Sequence, residues 1–153
     1  MNTKTVLESL NWRYATKKFD NTKKVTSDQL NGIVEAVRMA PTSYGLQPFR
    51  LIVVEDQNIR QQLKDASWGQ EQITNSSHLI VFAVLNKISE VEINNYIELI
   101  AKERNISLTD LESFKQMMLG ALGNLTDEQK IDWAKKQAYI GLGVAILASA
   151  EMG

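Results

Sequence analysis

His78-Leu-Ile-Val-Phe-Ala-Val-Leu85 decides the fold, because every position after His78 is apolar. A half-exposed strand alternates polar and apolar residues, whereas an uninterrupted run fits a strand covered on both faces, as in a sheet sandwiched by helices. A second β-branched run, Leu51-Ile-Val-Val54, supplies another short strand. Around these two the pattern is helical. Thr3 is placed to cap a short helix with Val6, Leu7 and Leu10 on one face. Thr26 or Ser27 opens a second, with Leu30, Ile33, Val34 and Val37 at helical spacing, and Pro41 ends it. Asp56 caps a third through Ile59 and Leu63. From about Ser89 onward the reading is helical. Ser107 or Thr109 starts one helix, and Thr126-Asp-Glu-Gln129 is a capping-box pattern for a last one running to Met152.

That last helix carries Ala134, Ala138, Gly141, Ala145 and Ala148 as a stripe of small residues, with Ile140, Val144 and Leu147 on another face. From residue 138 it is apolar nearly all round, which predicts burial everywhere, one side on its own sheet and the other in a central position or under a partner subunit. Gly153 sits where a C-cap glycine would close it. Two strands alone make a poor sheet. The expectation is therefore an N-terminal portion of a longer protein, or strands supplied from elsewhere.

Composition narrows the function. A chain of 153 residues, 44% hydrophobic and 23% charged, has the size and balance of one globular domain, 1–153, rather than a disordered or repetitive chain. Its net charge of −1 offers no global basic field for nucleic acid or an anionic membrane. Cysteine is absent and there is one histidine, so thiol catalysis and the usual metal sets are excluded. The N-terminal segment carries Glu8 within its apolar stretch and does not read as a signal peptide. The most apolar run, Ala138–Ala150, is shorter than the roughly 20 residues a membrane span needs. These features predict a cytoplasmic location.

No glycine-rich phosphate loop is present, so a phosphorylated ligand would be held by side chains. Arg13-Tyr-Ala-Thr-Lys-Lys-Phe19 places Arg13 and Lys17 four apart, a guanidinium fork and a mobile ammonium suited to phosphate, or else a solvated basic turn. Pro41-Thr-Ser-Tyr-Gly-Leu-Gln-Pro-Phe49 is a non-repetitive loop pinned by two prolines, offering Thr42, Ser43 and Gln47 as donors and acceptors, or else a rigid connector. Gln70 and Gln72 could line a polar wall or lie on the surface. His78 is read as structural. Phe114, Met117 and Met118 could contact a flat ligand or pack in the core.

Taken together, Arg13-Tyr-Ala-Thr-Lys-Lys-Phe-Asp20, Ala40–Phe49, Gly69–Phe82 and Trp133–Gly143 resemble the FMN-dependent nitroreductase family, with the oxygen-insensitive NAD(P)H nitroreductases and quinone reductases nearest. The resemblance covers the whole chain in order. It implies an α+β fold, a three-layer α/β/α arrangement with a central, mostly antiparallel sheet flanked by helices and a long buried helix at a dimer interface. It also implies that Arg13 grips the FMN phosphate, Tyr14 and Ala15 line the cofactor, and Lys17 reaches the polar edge of the ring. Thr42 and Ser43 would contact the FMN of the other subunit, and Gln47 would help hold the pocket. Gln72, with Gln70 as a second candidate, would bond the pyrimidine edge. Met118 or Leu119 would fall where an aromatic gate covers the substrate in relatives, and Phe114 is counted with them as a substrate contact. Family members continue past the central helix into a closing segment that residues 1–153 do not include.

The implied activity is reduction of nitroaromatics or quinones by NADH or NADPH, in a ping-pong cycle of hydride transfer through flavin N5, by a homodimer with no metal. Flavin carries the redox chemistry, which suits a chain without cysteine or an acid–base dyad. Two other readings stay open: a flavin or dihydropteridine reductase on the same fold, and a dimerisation module without cofactor.

Overall fold

The computed structural model describes residues 6–153, so the Thr3 cap lies outside the described residues. The elements follow in the order α1 (Val6–Trp12), α2 (Ser27–Arg38), β1 (Phe49–Val54), α3 (Gln57–Asp65), α4 (Gln72–Asn75), β2 (Leu79–Val84), α5 (Glu90–Arg104), α6 (Glu112–Gly123) and α7 (Asp127–Met152). Short 3-10 turns occur at Ser43–Gly45 and Thr109–Leu111. This is a helix-rich α+β chain with a small two-stranded sheet, β1 beside β2. The strands run antiparallel: Leu85 N–H donates to the Pro48 carbonyl at one end (3.0 Å), and His78 meets Glu55 at the other (2.9 Å).

The helix starts are where local chemistry places them. Thr26 and Gln29 form a reciprocal capping box on α2, and Asp56 accepts the Ile59 N–H of α3 at 2.9 Å. Ser89 and Glu92 do the same for α5, and Thr126 and Gln129 exchange side-chain and backbone bonds at the start of α7. Each such cap meets amide donors that the first helical turn cannot pair internally. α2 ends at Arg38, before Pro41 as expected.

The chain packs as two compact units. The first comprises the chain up to Ala40, Leu51–Ala83 and Gly141–Gly153; the second comprises Pro41–Arg50 and Val84–Ile140. In the first unit the expected apolar face of α1 is exposed, Leu7 at 77% and Val6 at 51%, and Ser9 is its buried residue. No described segment of the chain covers that face. All six residues of β2 are half-buried rather than fully covered. In the second unit Ile88, Ile93, Ile97, Ile100, Leu111, Met118, Leu122 and Ala134 form the core.

The small-residue stripe of α7 is buried at Ala134, Ala138, Gly141 and Ala145, while Ala148 is half-buried. Burial all round is not observed. Tyr139, Ile140 and Ile146 stand exposed on the opposite side, Tyr139 at 72%. Small side chains let the helix approach its own chain closely on one face, and bulky apolar ones project from the other. Among the described residues no helix is long and apolar enough to cross a membrane.

Candidate functional site

In the first unit, α1 ends at Trp12 and the chain runs without regular structure to the Thr26 cap. Arg13, Tyr14, Ala15 and Thr16 border a cleft of about 660 Å³, backed by Ile33 of α2, Ile80 and Phe82 of β2, and Ala145 and Ile146 of α7. A volume of about 300–1,000 Å³ is usual for small-molecule sites. Its lining is apolar and aromatic apart from Arg13, Thr16 and Ser149. Arg13 is exposed, and no hydrogen bond or ion pair engages its guanidinium among the described residues. Its backbone N–H is fixed on the Ser9 carbonyl at 3.0 Å, which holds the start of the basic segment to the end of α1.

Lys17 is exposed and outside that lining, whereas Lys18, Lys23 and Lys24 border a second cleft of about 760 Å³ with Ser76, Ser77 and His78. Asp20 sits in the middle of these cations. Its carboxylate accepts the Thr22 hydroxyl (2.6 Å) and N–H (3.0 Å). Those bonds, then the Lys23 charge, hold its pKa below the ordinary value. Gln70 is exposed, and Gln72, half-buried, opens α4; neither lines the cleft beside Arg13.

In the second unit the loop 41–49 carries positive φ at Tyr44 (57°), Gly45 (73°) and Gln47 (47°). Two of these are non-glycine residues in a region that side chains disfavour, so other contacts must impose the shape. Ser43 N–H donates to Gln137 Oε1 of α7 at 2.8 Å, and Gln137 Nε2 donates to the Trp133 carbonyl at 3.2 Å. Tyr96 of α5 donates its hydroxyl to the Tyr44 carbonyl at 2.8 Å, and the Tyr44 ring packs on Phe114. Burial raises the Tyr96 phenol pKa above its usual value, with Arg104 opposing. The Thr42 hydroxyl oxygen is buried without a hydrogen-bond partner among the described residues. Gln47 lines a pocket of about 210 Å³ with Arg50, Glu92 and Tyr96.

Of the three residues read as substrate contacts, Phe114 and Leu119 are half-buried against the core, and Met118 is wholly enclosed in it. The structure thus brings Arg13, Tyr14 and Ala15 together on one cleft, and Thr42, Ser43 and Gln47 onto one braced loop. Sequence reading missed Gln137, whose only trace is its place beside the buried stripe of α7, and Arg60, a fully buried guanidinium in α3. It also missed the carboxylate partner of His78, Glu55. Among the described residues no group of acidic or histidine side chains could hold a metal ion.

The donor set can be tested against FMN. In the first unit, a guanidinium that no described residue engages, beside an aromatic-lined cleft, suits a phosphate-bearing ring, and the residues around Arg13 fit the cofactor. In the second unit, taken by itself, the Thr42 hydroxyl is a buried polar group without a partner among the described residues.

Comparison with known proteins shows the family. A protein of Staphylococcus saprophyticus, provisionally named an NAD(P)H nitroreductase, is 35% identical over 150 residues, covering 95% of this chain and 68% of its own. A Bacillus subtilis protein of the same provisional name is 33% identical over 158 residues, covering 97% and 70%. Among solved structures, a nitroreductase-type protein of Bacillus subtilis superposes with a TM-score of 0.84 at 22% identity, over 96% of this chain and 70% of that one. Another, from Exiguobacterium sibiricum in complex with FMN, gives 0.79 at 18% identity, over 100% and 73%. The nitroreductase family pattern itself matches residues 10–153, and this chain belongs to the nitroreductase family.

Proposed function

We propose that the protein is an FMN-dependent NAD(P)H oxidoreductase that reduces nitroaromatic or quinone acceptors. The observation that carries the reading is the Arg13 guanidinium, which no described residue engages, beside an apolar and aromatic cleft of about 660 Å³, in a chain of this family. FMN, when bound, supplies the redox chemistry, taking a hydride from the nicotinamide and passing two electrons on. The protein's own residues bind and orient. Arg13 would hold the phosphate bidentately, and Tyr14 and Ala15 would line the ring. Lys17 and Gln72, with Gln70 beside it, would face the polar edge, where an ammonium favours negative charge. Thr42 and Ser43 would contact the FMN of a second copy, with Gln47 supporting their loop.

A homodimer is part of this reading. The exposed apolar side chains of α1 (Val6, Leu7) and α7 (Tyr139, Ile140, Ile146) support it, since apolar faces left bare are where partners dock. Phe114 and Leu119 would stand nearest a flat acceptor, with Met118 packing beneath them. The test is direct: purified protein incubated with FMN should turn yellow and oxidise NADH or NADPH in the presence of nitrofurazone or menadione. Arg13→Ala should weaken FMN binding by about tenfold, the worth of one charge-assisted phosphate contact, and Lys18→Ala far less. A protein that stays colourless, or equal retention by the two variants, would defeat the assignment.

A further inference from the structure

Arg60 has no part in the reading above, yet it is wholly buried and, among the described residues, no carboxylate pairs with it. Its guanidinium donates to the carbonyls of Ile73 (2.7 Å), Ser76 (2.6 Å) and Ser77 (3.2 Å), and to the Ser76 hydroxyl (2.7 Å). Burial lowers its pKa. A buried cation without a counter-ion is costly, and an apolar side chain of similar size would fill the space at no such expense. What the guanidinium alone can do is engage several acceptors at once from a planar fork. Here those acceptors are the last carbonyls of α4 and the turn leading into β2, a stretch whose backbone the sheet does not pair.

The network continues past Ser77. That residue accepts Arg60 on its carbonyl, and its hydroxyl accepts the Val25 N–H at 2.8 Å. Val25 immediately precedes the Thr26 cap and closes the basic segment that begins at Arg13. The other end of that segment is held by the Arg13 N–H on the Ser9 carbonyl. One buried guanidinium therefore fixes the turn after Gln72 and, through a single serine, the far end of the segment carrying Arg13, Lys17 and Lys24.

We propose that Arg60 is a positioning residue for flavin binding, setting the placement of Gln72 and of the basic segment together through Ser76 and Ser77. The inference rests on the assignment of FMN to those residues. Its test uses Arg60→Lys and Ser77→Ala in the purified protein, with two readouts. With FMN, Arg60→Lys should keep the native circular dichroism and raise the FMN Kd about tenfold or more, as loss of charge-assisted bonds implies. At saturating FMN its visible flavin band should also be displaced, since the polar edge would be met differently. Ser77→Ala, which removes the acceptor of the Val25 N–H and the bond with His78 Nδ1 (2.9 Å), should raise Kd by a smaller factor of about three and leave the band in place. Without FMN, amide exchange at Val25 should accelerate in both variants.

Unchanged Kd and band position in a folded Arg60→Lys protein would overturn the proposal, as would unchanged Val25 exchange in Ser77→Ala. If Arg60→Lys fails to fold, Ser77→Ala decides alone. If the wild-type protein binds no FMN, the functional reading fails, and unchanged Val25 exchange in the variants would show separately that the Arg60 coupling is wrong.

Discussion

Replacing Gly45 by alanine probes how the loop 41–49 is held. Gly45 has φ of +73°, and a Cβ there would collide with the Tyr96 hydroxyl. Two costs follow. The left-handed backbone conformation alone costs alanine about 1 kcal/mol. Tyr96 must also withdraw, breaking its 2.8 Å bond to the Tyr44 carbonyl and leaving a partly buried hydroxyl and carbonyl unpaired, which costs about 1–1.5 kcal/mol more. Gly45→Ala should therefore destabilise the protein by about 2–2.5 kcal/mol, a Tm loss of about 4–10 °C in a chain of this size. Tyr96→Phe removes the obstructing oxygen in advance. In that background Gly45→Ala should cost only the backbone share, about 1 kcal/mol. Urea unfolding of wild type, both single variants and the double variant gives the coupling directly, and a value of about 1 kcal/mol is expected. A coupling within about 0.5 kcal/mol of zero, the scatter of independent sites, would show that the hydroxyl does not brace the loop.

Gln137→Leu keeps volume and burial but removes the acceptor of the Ser43 N–H, so stability should fall by about 1–3 kcal/mol in urea unfolding; an unchanged midpoint would mean the bond contributes nothing. Thr42→Val removes a buried hydroxyl with no partner among the described residues, so the cofactor-free protein should be as stable as wild type or slightly more so, while its affinity for FMN drops; lower stability without FMN would show that the hydroxyl is satisfied after all. The Glu92 carboxyl is held below its ordinary value chiefly by the Ser89 hydroxyl and then by the Ser89 backbone. A lowered folded value means stability that is present above the usual 4.5 and lost as pH falls through the folded value. Glu92→Gln should therefore be less stable at pH 7, with the gap closing as pH drops below 4.5, and a gap constant across that window would contradict the carboxylate's role.

Much of the helical framework was legible because its determinants are local. Thr26 with Gln29, Asp56 with Ile59 and Thr126 with Gln129 act over three residues, and the amide donors they satisfy exist in any helix. The two strands declared themselves by β-branched runs. The outcome for α7 shows the limit of such reading: apolar character all round announces surface that wants cover, and says nothing of whether the same chain provides it. Small residues at Ala134, Ala138 and Ala145 found cover within the chain, and Tyr139 and Ile146 did not. The same holds for α1, where Val6 and Leu7 have the right spacing and no described partner surface.

The candidate site was legible in its residue types and illegible in its supports. Loop 41–49 and the turn from Ser76 to His78 that follows α4 largely lack sheet or helix bonding, so several of their backbone polar groups are met by side chains. Those side chains come from elsewhere: Gln137 reaches Ser43 across 94 residues, Tyr96 reaches Tyr44 across 52, and Arg60 reaches Ser77 across 17. No periodicity marks such residues, because each answers one particular turn rather than a repeating face. Each is a polar group whose burial is justified only by the backbone it completes. A chain that presents its ligand contacts on irregular loops must fix those loops from its helices. The buried glutamine and arginine of α7 and α3 and the half-buried tyrosine of α5 therefore fix the loops on which the proposed ligand contacts lie.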